Sequence, residues 1–228
     1  MKPAKNLTPV VVAALLIGIL LWAGEPWKDK PYTEWTAKEV QRLFEDSPWA
    51  RPVPTAFERR DFAVVAEGQS PDAATPVTRT DKVKSFVIVQ WASAMTVREG
   101  IVRARQLQGS YSQQDAAQFL SNPPPDYVVA VFGPDVKKFE GISEETLRQS
   151  AHLKIKETNR KIPAENVRIA RQGSDLSAVE FHFPREMDGK PTISASAKKL
   201  EFKCPFAKES LTTTFDLRKM VRDRKPDL

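Results

Sequence analysis

Two histidines, one cysteine and five tryptophans carry most of the chemistry this chain could offer. In "AVEFHFPRE", Glu180 and His182 stand two residues apart in an alternating run, so a strand would set acid and base side by side on one face. That pairing supports two readings, a solvated sheet face or an acid–base pair in which His182 works with Glu180, Glu186 or Glu201. His152, the other histidine, stands far away in sequence, also at a polar-side position of a predicted strand. Cys204 alternates with Leu200, Phe202 and Phe206 in "LEFKCPF", which predicts an inward position. As the sole cysteine it forms no internal disulfide, so the fold stands on its core. No cluster of Cys, His or carboxylates has ligand spacing, and there is no phosphate-cradling glycine loop, nucleophile elbow or zinc-protease helix. The sequence therefore predicts no metal, no cofactor and no catalytic residue set.

The aromatic residues raise a different chemistry. Trp35, Trp49 and Trp91 could share one cluster, either as core or as a platform on which a ligand or partner stacks. Cations are scattered: net charge is +6 and the pI is near 9.4. Lys154, Lys156, Arg168, Arg171, Lys199 and Lys203 interleave with Glu157, Glu165, Glu180 and Glu201, as a solvated surface of cross-strand pairs or as an anion site. The one dense group, Arg218, Lys219, Arg222, Arg224 and Lys225, reads as a solvated tail or as a contact for anionic headgroups or an acidic partner. No aromatic platforms stand among these cations, so nucleic acid is not an expected partner.

The N-terminus says most about location. Lys2 and Lys5 precede an uncharged apolar run from Val10 to Ala23, and charge returns at Glu25. This length suits a signal-peptide core and falls short of the roughly 20 residues a spanning helix wants. Leu21-Trp22-Ala23 is a bulky cleavage site, so an uncleaved anchor through residues 10–23 stays open beside a cleaved signal, as does a buried core helix. No cysteine follows the run to take a lipid. Export, periplasmic or at the outer face of a membrane, is the expectation.

Downstream, residues 25–34 read as a proline-spaced tether. Thr36 and Glu39 form a capping box for a helix ending before Pro48. Too short to stay folded alone, that helix must pack on the body. Residues 51–58 read as a proline-stiffened connection, 60–67 as a strand, 68–82 as a polar loop or hairpin connection and 83–94 as an apolar strand. Thr96 and Glu99 look like a second capping box, for a helix with Val97, Ile101, Ala104 and Leu107 inward and Gly109 as its stop. Ser112 caps another helix, 126–133 is a buried strand, and 143–150 a short helix. From Leu153 onward five runs alternate apolar and polar residues, the pattern of antiparallel strands with one dry face. The predicted fold class is α+β, a largely antiparallel β-sheet with two to four helices packed on one face behind an N-terminal apolar leader. Its parts would be a leader (1–24), a tether with capped helix (25–58) and a single globular domain (59–228).

The segment "EWTAKEVQRLFEDSPWA", with "VQWASAMTVREG" and the ending "FDLRKMVRDRKPDL", resembles a family of exported or membrane-anchored bacterial proteins of unknown function. The resemblance implies export and an α+β body over most of the mature chain, and no activity. The expected function is thus a non-enzymatic cell-envelope protein that binds a protein partner or a small apolar ligand. The alternative is an envelope hydrolase using His182 with a nearby carboxylate.

Overall fold

The computed structural model describes residues 24–64 and 77–228, with side-chain surroundings for 24–55 and 85–228. The leader lies outside the described residues, and no described helix is long and apolar enough to cross a membrane. The chain opens with a helical turn α1 (Pro26–Asp29) and a 3₁₀ turn (Tyr32–Glu34), followed by α2 (Ala37–Glu45). Strands β1 (Ala50–Val64) and β2 (Val77–Trp91), helices α3 (Met95–Leu107) and α4 (Gln113–Ser121), strand β3 (Tyr127–Phe132) and helix α5 (Glu144–Ser150) come next. Then strands follow one another: β4 (His152–Ile155), β5 (Lys161–Pro163), β6 (Asn166–Gln172), β7 (Asp175–Phe183), β8 (Glu186–Met187), β9 (Lys190–Pro191), β10 (Lys199–Phe206), β11 (Glu209–Asp216), β12 (Val221–Arg222) and β13 (Lys225–Pro226).

The fold is α+β with antiparallel pairing throughout. The strands divide into a five-stranded sheet, β1-β2-β3-β7-β6, a four-stranded sheet, β11-β10-β4-β5, and two two-stranded hairpins, β8-β9 and β12-β13. Alternation explains why two sheets meet. Val179, Phe181 and Phe183 of β7 pair across to Val131, Val129 and Tyr127 of β3, placing all six on one face. Leu200, Phe202 and Cys204 form the matching dry face of β10, and all three are buried. Aromatic rings join the sheets, with Phe181–Phe202 at 5.2 Å and Trp91–Phe215 at 5.4 Å between centroids. Phe132, on the opposite face of the larger sheet, lies with Phe44 of α2 and Ala104 of α3.

Several expectations change here. The segment expected as a proline-stiffened connection, 51–58, belongs to β1, which pairs with β2 from Ala50 onward. Pro52 and Pro54 are tolerated because β1 is the sheet's edge strand, where a missing N–H costs no ladder bond, and a bulge follows Pro54. The strand expected at 60–67 is the end of β1 up to Val64. Of the segment expected as a loop or hairpin connection at 68–82, residues 77–82 are strand, and residues 65–76 lie outside the described residues. Residues 25–34 are not an extended tether: Trp27 and Tyr32 pack on the core, and Trp35, Val40, Leu43 and Trp49 belong to it. The stretch 25–55 is therefore part of the globular body.

The α3 expectation fails in two respects. Thr96 does not cap it; the N-cap is Ala94, with no side-chain bond of its own. Val97 is buried, and Ile101 and Ala104 pack on the core as expected; Arg98, Gly100 and Val102 are buried as well, and of the four expected residues only Leu107 is exposed, at 45%. At Gly100, α2 presses Leu43 and Phe44 against the bare Cα. Two local predictions hold, the Thr36–Glu39 capping box and the Ser112 cap, and the latter also closes as a box with Asp115.

Candidate functional site

The N-terminal clamp is built from backbone turns that give tryptophans fixed positions. Trp35 is buried, and its indole N–H is shared between the carbonyls of Pro26 and Lys30, each at 3.2 Å. Its own carbonyl accepts from Arg103 Nε at 2.7 Å, which ties the clamp to α3. Lys30 reaches Glu39 at 2.8 Å. Burial opposes ionisation of Glu39, but bonds from Lys30 and Thr36 hold its carboxyl below the usual range. Trp27, which the sequence reading did not single out, stacks edge-on against Trp49 at 6.0 Å, and Arg42 sits 5.5 Å from its ring centre. The dense aromatic spacing of "EPWKDKPYTEW" was the available signal. Between these turns and the C-terminal segment lies a half-open cleft of about 420 Å³, walled by Trp27, Tyr32, Trp35, Glu99 and Arg222. The buried Trp27 Nε1 has no hydrogen-bond partner among the described residues.

Of the three candidate platform residues, Trp35 alone reaches this cleft. Trp49 and Trp91 are fully buried, joined by a backbone bond from Trp91 N to Trp49 O at 2.7 Å. Trp91 packs on Tyr127 at 5.7 Å and on Phe215, so its ring is core. A second depression, about 540 Å³ and open, runs between α2 and α3, with Val40, Phe44, Ala104, Leu107 and Phe132 in its walls. It is apolar and carries Leu107, the one large hydrophobic side chain that is exposed among the described residues.

The basic C-terminus does not hang free as a solvated tail. Met220 is fully buried, Arg222 pairs with Glu99, and Asp227 turns back onto α3. The Asp227 carboxylate accepts from Met95 N at 2.7 Å and Thr96 N at 3.0 Å, so it supplies the cap that Ala94 cannot. Its main-chain carbonyl accepts from Trp49 Nε1 at 3.0 Å. Clamp, helix and C-terminal segment thus close on one another.

His182 is not on a solvated face. It is 8% exposed, with Nδ1 3.4 Å from Asp126 and Nε2 3.8 Å from Glu180. His182 and Arg168 beside Glu180 hold its carboxyl below the ordinary range, against the opposing effect of burial. Asp126 is a partner the sequence reading did not name. The two carboxylates flank opposite ring nitrogens, so they do not converge on one point. Among the described residues no group of three or more His, Cys, Asp or Glu could hold a metal. The other proposed carboxylates are elsewhere: Glu201 lies in the smaller sheet, bound to Lys156 at 2.8 Å, and Glu186 is exposed on β8. His152 is half-buried on β4. Cys204 is buried, which pushes its thiol up and leaves it un-ionised. Acid–base chemistry at His182 is geometrically open, while the clamp offers binding.

Comparisons with protein-family models, with curated proteins and with solved structures each found no match to this chain.

Proposed function

We propose that this chain is an exported or membrane-anchored cell-envelope protein that binds a protein partner or a small apolar ligand rather than performing catalysis. The observation that carries this reading is how tightly the chain is held as it leaves the apolar run. Arg42 donates to Gly24 O at 3.0 Å, and Trp27, Tyr32 and Trp35 are docked within the next eleven residues. A leader joined to the body without slack holds one face of that body at a set height and orientation. The uncharged run of residues 10–23 supports delivery across a membrane. The resemblance of residues 34–50 to exported bacterial proteins supports the same reading. The groove between α2 and α3 suits an apolar ligand, and the clamp cleft suits a partner that stacks on aromatic rings.

The test is fractionation of the native producer with alkaline carbonate extraction, N-terminal sequencing of each fraction, and recovery of cross-linked partners. Recovery of uncleaved chain in the soluble cytosolic fraction would overturn the proposal. A second reading, an envelope hydrolase, is favoured by the burial of His182 between Asp126 and Glu180. Turnover of a panel of ester and phosphoester substrates that is lost in His182→Gln would support it, and unchanged turnover would remove it.

A further inference from the structure

The hairpin β12–β13 has a backbone that local sequence does not favour. Asp223 and Arg224, its two central residues, have φ of 49° and 63°. Both positive values mark the turn class that prefers Asn and Gly, because a Cβ is strained there. Here a long cation occupies the second position at the tip, with Lys225 beside it, and both are exposed. The hairpin also lies where the leader emerges. Val221, Arg222 and Asp223 share the clamp cleft with Trp27, Lys28 and Lys30. Trp27 is only four residues past Ala23, a span of at most about 14 Å.

Charge accounting separates structural cations from free ones. Lys28 is paired with Glu25, Lys30 with Glu39, and Arg222 with Glu99 and Asp223. Among the described residues, no carboxylate lies within ion-pairing distance of Arg224, Lys225 or Lys219. The exposed acids Asp29 and Glu34 stand on the clamp, while Asp223, 91% exposed, stands at the hairpin tip and lies 3.7 Å from Arg222 Nε. A strained turn that holds unpaired cations beside a membrane leader points to a ligand of fixed negative charge.

We propose that Arg224 and Lys225, with Lys219 in support, bind the phosphates of anionic lipid headgroups in the leaflet that holds the leader. This inference rests on the anchoring reading and adds the surface and the lipid class. Headgroup charge acts within about 8 Å at physiological ionic strength, so only cations that the clamp keeps close can respond. Each basic residue near an anionic surface raises residence there about fivefold. The half-buried Trp27 and Tyr32 suit the same interfacial level.

The test uses the full chain reconstituted in vesicles of phosphatidylcholine, alone or with about one third phosphatidylglycerol. Acylation of lysines by a membrane-impermeant reagent is read by mass spectrometry. Lys225 should react at least about fivefold more slowly in the anionic vesicles, and high salt should abolish the difference. Lys208, beyond the far end of β11, serves as an internal control and should not change. Arg224→Gly relieves the backbone strain, so it should fold at least as stably and yet lose most of the Lys225 protection. Equal Lys225 reactivity in the two vesicles, or protection that ignores salt, overturns the inference while anchoring stands. Protection in native membranes but not in anionic vesicles also overturns it and assigns an acidic protein partner. A chain washed off vesicles by alkaline carbonate overturns anchoring and this inference together.

Discussion

Replacing Asp227 with alanine removes a helix cap supplied from 131 residues further along the chain. The carboxylate accepts from Met95 N and Thr96 N at the start of α3, and Asp227 is only 7% exposed. Losing an N-cap typically costs about 0.5–2 kcal/mol. Here two N–H groups lose their acceptor, Thr96 is itself buried, and an unsatisfied buried donor costs about 1–3 kcal/mol. The negative charge at the positive end of the helix adds about 0.3–1 kcal/mol. These contributions overlap, so the expected loss is about 2–4 kcal/mol. Asp227→Asn keeps one acceptor oxygen and should lose about half as much. The main-chain bond from Trp49 Nε1 to Asp227 O survives either change, which isolates the side chain. Urea unfolding followed by tryptophan fluorescence reads the effect as a lower midpoint at unchanged slope. A loss below about 0.5 kcal/mol for the alanine variant, or no difference between the two variants, would refute the cap argument.

Three further outcomes follow from the packing and the charges. Trp91→Ala should destabilise by about 3–5 kcal/mol, because a fully buried ring between Tyr127 and Phe215 leaves a cavity; calorimetric melting checks this. Gly100→Ala gains helix propensity worth about 1 kcal/mol, but its Cβ would sit 2.7 Å from Leu43 Cδ2, and Leu43 is fully buried. Overpacking of about 1–3 kcal/mol should win, so the variant melts lower than the parent. Arg218 bonded to Asp216 holds that carboxyl down at about 2. Because the folded value is depressed, the pair's stabilisation is present above the unfolded Asp value of about 3.9 and is lost as pH falls toward 2. In Arg218→Ala the Asp216 carboxyl should titrate higher by NMR, moving toward the unfolded value while the backbone N–H of residue 218 and Lys199 still favour its charged form, and the acid-side loss should shrink.

Elements whose causes lie within a few residues were legible in advance. The capping box at Thr36, the cap at Ser112, the alternation of β7, β10 and β11, and the inward Cys204 all arise from contacts three or four residues apart or from strand period. Reading failed where a distant segment supplied the partner. Pro52 and Pro54 suggest a connection until β2 is seen to pair on one side only, leaving an edge on which proline is harmless. Thr96 and Glu99 have the spacing of a cap, yet Asp227 occupies the helix end and Arg222 takes Glu99. The α3 residues Val97, Ile101 and Ala104 face the core as their spacing predicted, but the close approach of α2 at Gly100 was not foreseen, because glycine has no side chain to reveal it.

The candidate site divides in the same way. That an uncharged run precedes a capped helix set between Trp35 and Trp49, and that this helix must pack on the body, could be read from order and spacing alone, whereas the docking of Trp27 and Tyr32 could not. That His182 is buried between Asp126 and Glu180 depends on two strands finding their register. That the C-terminal hairpin closes on the clamp depends on chain ends meeting about 190 residues apart, through the cleft shared by Lys30 and Arg222. Such meetings are the product of packing many elements at once, and no short window of residues contains the information.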